Sequence, residues 1–243
     1  MPTLLIDAGN SRIKWVLAEG DEWQAPGAID NAHIQDMPRL IAQLPKPSRI
    51  VIASVAGDTI AQNLRMICAH WRVRPEFITA RPSQCGVINR YDEPQRLGCD
   101  RWAALIAAWH LERRACLVVN CGTATTVDAL SASGEFIGGL ILPGTGLMLH
   151  SLSNGTALLG QGQGDWQAFP RNTADAMESG IIQATVGAIE RQYVRLGLPH
   201  ARCILGGGNA GRVIEHLSMP VEHIGNLVLR GLHIIADEGG TTA

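Results

Sequence analysis

Leu4-Leu5-Ile6-Asp7-Ala8-Gly9-Asn10-Ser11 opens the chain, and Leu117-Val118-Val119-Asn120-Cys121-Gly122-Thr123-Ala124 repeats its pattern half a chain later. Asp7 and Asn120 stand 113 residues apart in a sequence of 243. In each copy an apolar strand runs into Asp or Asn, then a small residue, Gly, and a short polar side chain. A second apolar stretch follows, residues 13–17 and 126–130. The pattern predicts a hairpin whose turn carries amides and hydroxyls but no bulk. Backbone N–H groups exposed in such a turn make an anion-binding concavity, and Gly lets the anion come close. Two such turns on matched halves predict a nucleotide held in a cleft between two similar lobes.

Composition narrows the choice. With 46% hydrophobic and 17% charged residues the chain is globular, and a net charge of −2 gives no pull toward nucleic acid or a membrane surface. No apolar run reaches the roughly 18 residues that span a bilayer, and the N-terminus enters a strand without a basic leader. The six cysteines form no C-x-x-C pair and no metal-ligand spacing with His. A reduced, cytoplasmic protein is the expectation.

Along the chain, strands over 3–6 and 13–17 lead through Glu19-Gly20-Asp21 into a third. A short helix over 37–44, a buried strand over 49–55, a helix over 59–71 capped by Asp58, and a strand over 77–79 follow. Residues 80–99 read as a long loop, the kind that is functional or mobile. Asp100 is expected to cap an apolar helix over 101–112, whose Trp102 and Trp109 make it a candidate dimer surface. The second half repeats the plan with strands near 116–119, 125–130 and 135–142. After it come a Gly-rich, mobile segment over 158–172, a helix over 173–196, a strand over 203–205 and a frayed tail after Glu238. The whole is a duplicated α/β architecture, divided into 1–114 and 115–243.

Several groups carry chemistry. Asp7 can hold Mg²⁺ through waters, Gly9 admits phosphate, and Asn10, Ser11 and Lys14 supply donors. Thr123, Thr125 and Thr126 set hydroxyls around the second Gly turn, while Asp128 reads as the polar end of an apolar strand. Gly98-Cys99-Asp100-Arg101 puts a carboxylate and a guanidinium at a helix start, where the first can act as general base and the second can pair with a substrate carboxylate. Gly206-Gly207-Gly208-Asn209 is either a close approach to a planar base or a tight strand-to-helix turn. Neither G-x-G-x-x-G nor G-x-x-x-x-G-K-[ST] occurs, which disfavours Rossmann and P-loop readings.

Six motifs in this order resemble the type III pantothenate kinases of the acetate and sugar kinase, chaperone ATPase and actin superfamily. They are Asp7-x-Gly9-Asn10-Ser11, Gly98-x-Asp100-Arg101, Gly122-Thr123-Ala124-x-Thr126-x-Asp128, Gly138-Gly139-x-Ile141-x-Pro143-Gly144, Asn172-Thr173 and Gly206-Gly207-Gly208-Asn209-Ala210. The resemblance implies a duplicated ribonuclease H-like (actin-like ATPase) fold and ATP-dependent phosphorylation of pantothenate to 4'-phosphopantothenate, the first step toward coenzyme A. It implies that Asp7, Ala8, Gly9, Asn10, Ser11, Arg12, Ile13, Lys14 and Thr123 bind ATP, with Asp7 handling Mg²⁺. It makes Asp100 the general base, and Tyr91, Gly98, Cys99, Asp100, Arg101 and Thr173 the pantothenate site. It also implies a homodimer, with Thr173 lining the pocket from the partner's side.

One position departs from the family. An Asp linked to a monovalent cation, K⁺ or NH₄⁺, usually stands where this chain has Asn120. Asn keeps a carbonyl ligand but loses the charge, so weaker dependence on the cation is expected. Two alternatives stay open: a kinase for another small hydroxy acid or sugar, since fold does not fix substrate, and a regulatory nucleotide-binding member of the family.

Overall fold

The first repeat folds as a hairpin because its apolar residues sit in two short runs joined by small polar ones. In the computed structural model, which describes residues 1–155, 164–197 and 201–240, β1 (Thr3–Ala8) and β2 (Arg12–Glu19) pair antiparallel with Asp7 opposite Lys14. The chain continues through β3 (Glu22–Asp30), α1 (Met37–Ile41), β4 (Arg49–Ser54), α2 (Asp58–Cys68), β5 (Glu76–Phe77), β6 (Ser83–Gln84), β7 (Val87–Asn89) and α3 (Cys99–Glu112). Then come β8 (Cys116–Cys121), β9 (Ala124–Leu130), β10 (Glu135–Pro143), α4 (Thr145–Gly155), α5 (Thr173–Leu196), β11 (Arg202–Gly206), α6 (Gly211–Ile214), β12 (Val221–His223) and α7 (Leu227–Gly240). Of the segment expected to be mobile, residues 158–163 lie outside the described residues, as does the tail beyond 240.

The chain forms two compact units, residues 1–111 with 226 onward, and residues 112–225. The first has strand order β3-β2-β1-β4-β5. The second runs β10-β9-β8-β11-β12, with the same antiparallel and parallel senses at corresponding pairs. The duplication thus holds for five successive strands as well as for the motif.

In the first unit β1 is buried on both faces: Leu4, Leu5 and Ile6 are all fully covered. One face carries Leu4, Ile6, Ile13, Trp15, Ile50 and Ile52 against Leu64 and Cys68 of α2 and Met37 and Ile41 of α1. Helix α7 packs on β1, β4 and β2. It also crosses α3 closely, because a Cβ on Gly231 would strike the Ala103 backbone. Helix α3 is mostly apolar and buried over most of residues 99–109, Trp102 completely. It is therefore core and not the dimer surface expected from its tryptophans. In the second unit Leu117, Val119, Val127, Cys203 and Leu205 of the sheet pack against Ile182, Val186 and Ile189 of α5.

Both expected aspartate caps are shifted. Gly57, not Asp58, is the N-cap of α2, and Asp58 makes the first helical residue. Asp100 likewise lies inside the first turn of α3, where the Trp102 N–H already bonds back to the Gly98 carbonyl at 2.9 Å. A carboxylate in the first turn still meets the positive end of the helix dipole. Residues 80–98 are more regular than a loop: β6 and β7 pair as a hairpin, and the Trp102 indole donates to Gln84 Oε1 at 3.1 Å.

Candidate active site

Turn one is tied at three points. The Gly9 N–H donates to the Arg12 carbonyl (3.0 Å), Val55 N–H to Ala8 O (3.0 Å) and Asn31 N–H to Ser11 O (2.9 Å). Asn10 and Ser11 are left exposed at the tip. The Asn31 amide adds two more bonds, to Gly9 O and Asn10 O, both 2.9 Å. Of the expected ATP-binding stretch, Ala8 and Ile13 bury their side chains in the core and offer only main chain. Arg12 pairs with Asp30 at 3.0 Å on open surface, an ion pair worth little in water.

Turn two has the same ties from equivalent places. Gly122 N–H donates to Ala124 O (3.0 Å), Asn209 N–H to Cys121 O (2.9 Å) and Gly144 N–H to Thr123 O (2.9 Å). The turn is one residue shorter than the first, with Thr123 exposed at its tip. Position 144 must be Gly, because a Cβ would strike the Gly122 and Thr123 carbonyls. Gly207 (φ 97°) packs so tightly on Cys121 that it too has no room for a side chain. The triple-glycine run is therefore a tight turn that seats Asn209 on the Gly122 carbonyl (3.2 Å). Thr125 and Thr126 are buried on β9, as is Asp128, which lies within the strand and not at its end. Asn120, near the end of β8, stands opposite Thr126 and Gly206.

Helix α3 delivers Asp100. The buried Cys99 thiol donates to Ser54 O at 3.4 Å, and Ser54 lies opposite Ala8 in the parallel pairing. The helix start is thereby fixed at the end of β4, next to the end of β1 where Asp7 stands. Burial pushes Asp7 up to about 7; Lys14 opposes the rise, and the charge of Asp100 adds to it. Burial also raises Asp100, against the Arg101 N–H bonded to its Oδ1 (2.8 Å) and the Arg101 charge. Two neighbouring, half-buried carboxylates, each above its ordinary range, suit acid–base and metal chemistry.

Beside them Arg101 is buried, with its guanidinium donating to the Tyr91 hydroxyl at 3.0 Å. Tyr91 is held by Asn89, whose Oδ1 accepts the Tyr91 N–H (3.1 Å) while its amide donates to Pro94 O (3.0 Å). Thus Asp7, Tyr91, Gly98, Cys99, Asp100 and Arg101 gather in the first unit. Thr173, in the second, is the exposed first residue of α5, after an Asn172 cap that accepts the Asp175 N–H at 2.9 Å. The sequence reading missed Asn31, which no motif marks. It also missed Arg212, which grips the Glu178 carboxylate and the Thr145 hydroxyl (3.2 Å).

A model of the type III pantothenate kinase family matches residues 3–195. The type III pantothenate kinase of Aromatoleum aromaticum is 48% identical over 236 residues, covering 97% of this chain and 98% of its own. Among solved structures, a Campylobacter jejuni protein described as a Baf family transcriptional activator superposes with a TM-score of 0.64 at 23% identity, over 98% of this chain and 99% of that one. Component A of (R)-2-hydroxyglutaryl-CoA dehydratase from Acidaminococcus fermentans gives 0.58 at 13% identity, over 97% and 96%. At those identities the structures speak for the fold alone, the duplicated ribonuclease H-like fold of actin-like ATPases and sugar kinases. Sequence kinship across nearly both full lengths goes further: the chain belongs to the type III pantothenate kinase family.

Proposed function

We propose that the protein transfers the γ-phosphoryl group of ATP to the primary hydroxyl of pantothenate, giving 4'-phosphopantothenate for coenzyme A synthesis. The observation that carries this reading is Asp100, a half-buried carboxylate with a raised pKa next to Asp7 at the start of α3. A base whose pKa moves toward neutrality takes a hydroxyl proton more readily. Asp100 accepts that proton as the hydroxyl oxygen bonds to the γ-phosphorus and the bond from that phosphorus to the β,γ-bridging oxygen breaks. Arg101 and Tyr91 hold the pantothenate carboxylate. The turn over 7–14 and Thr123 each bind phosphate oxygens, and most of the rate comes from positioning and electrostatics.

Among the described residues no group of three or more His, Cys, Asp or Glu is placed to hold a metal. One half-buried carboxylate, Asp7, suits Mg²⁺, which keeps most of its waters and neutralises phosphate charge when bound. Asn120 supplies a carbonyl without a charge, so K⁺ or NH₄⁺ adds little. We place the enzyme in the cytoplasm, in keeping with six buried free thiols. It acts as a homodimer, for which the second unit offers exposed Ile137 and Ile141 on β10 and Leu147 on α4.

Release of ADP from MgATP with and without pantothenate tests the reaction. Turnover that needs pantothenate supports it. Turnover with a different hydroxyl acceptor, or none with any, overturns the substrate assignment.

A further inference from the structure

A phosphate-binding turn works only if its N–H groups face the anion and its carbonyls face away. Those carbonyls need partners of their own, or the peptide planes can rotate and aim oxygen at the phosphate. The two units solve this differently. In turn two Asn209 covers the Gly122 carbonyl and the Gly144 N–H covers that of Thr123. In turn one the residue equivalent in place to Gly144 is Asn31, which follows β3 as Gly144 follows β10. Its main chain makes the corresponding bond, to Ser11 O, and its side chain covers Gly9 O and Asn10 O.

The orientation of that amide is forced, since two carbonyl oxygens at 2.9 Å can be met only by the NH₂ end. Its Oδ1 is buried without a hydrogen-bond partner among the described residues, a cost accepted for the two bonds at the other end. We propose that Asn31 is a positioning residue for ATP: it locks peptides 9–10 and 10–11 with their N–H groups toward the phosphates, and the turn loses phosphate affinity without it. This rests on the reading that turn one binds ATP phosphates.

The test compares wild type, Asn31→Ala and Asn31→Asp. Each is measured for melting temperature, Kd for MgATP by calorimetry, and KM for ATP and for pantothenate. The expected result for Asn31→Ala is a rise of about tenfold in Kd and KM for ATP, with KM for pantothenate within about twofold of wild type. Asn31→Asp, similar in shape but aiming oxygens at the two carbonyls, should be worse still for ATP. Unchanged ATP affinity in folded variants, or an equal rise in both KM values, overturns the proposal. Loss of folding in both variants also overturns it, because Asn31 would then support the fold and not the nucleotide. Failure of the wild type to bind MgATP would instead remove the reading of the turn itself.

Discussion

Gly98 has no side chain because Asp100 occupies the space: a Cβ at position 98 would lie 2.6 Å from Asp100 Oδ1. Gly98 is thus a steric partner of the carboxylate assigned as base. Gly98→Ala should push that carboxylate off its bond to the Arg101 N–H. A displacement of about 1 Å at a reacting group can cost about 100-fold. We expect kcat to fall by about that factor while the melting temperature changes little, checked by steady-state kinetics and thermal circular dichroism.

Asp100→Asn keeps the shape and removes the proton acceptor. General-base catalysis contributes about 10²–10⁴-fold, so kcat should fall within that range with both substrates still bound. Calorimetric Kd values for MgATP and pantothenate near those of wild type, alongside the lost turnover, would confirm it. If kcat survives, Asp100 serves only the helix end.

Asp7 links stability to pH in the free protein. Its folded pKa of about 7 lies above its ordinary 3.8, so the folded state holds the proton more tightly than the unfolded chain. That contribution is fully present below about pH 4 and is lost as pH rises toward and through 7. Asp7→Asn should therefore melt higher than wild type at pH 8, the gap narrowing as pH falls to 5 and closing only below about pH 4, and it should be nearly inactive. Melting curves at several pH values in buffer without nucleotide or Mg²⁺ measure the gap.

Gly231→Ala drives a methyl into the Ala103 backbone where α7 crosses α3. Overpacking of this kind costs about 1–3 kcal/mol, to be read as a lowered urea midpoint with an unchanged slope.

At position 120, activity in Na⁺ and K⁺ buffers should differ little. Asn120→Asp restores a charge and should give a saturable K⁺ activation; a steep K⁺ requirement in the wild type would refute the expected weak dependence.

The duplicated hairpins were legible because each has its polar turn residues between short apolar runs, and that order alone predicts strand, turn, strand. Helix α5 was legible over its full length. What the sequence hid was contact across long separations. Asn31 lies 22 residues from Gly9, and nothing local marks it as the amide that closes the turn. Strand β12 is three residues long, too short for a period. Helix α7 was missed because Arg230, Gly231 and His233 interrupt its apolar run; the glycine is a contact point rather than a break. The caps went astray for a different reason: Asp favours both the cap and the first turn, and only the backbone decides between them.

Helix α7 also orders events at the ribosome. Residues 112–225 are contiguous and carry five successive strands of their sheet, all present once this stretch has emerged. The first unit is begun earlier but lacks its cover on β1 and β4 until helix α7 has emerged. The half translated first is therefore the half completed last, and its bare sheet face is what a chaperone or protease would meet in the interval.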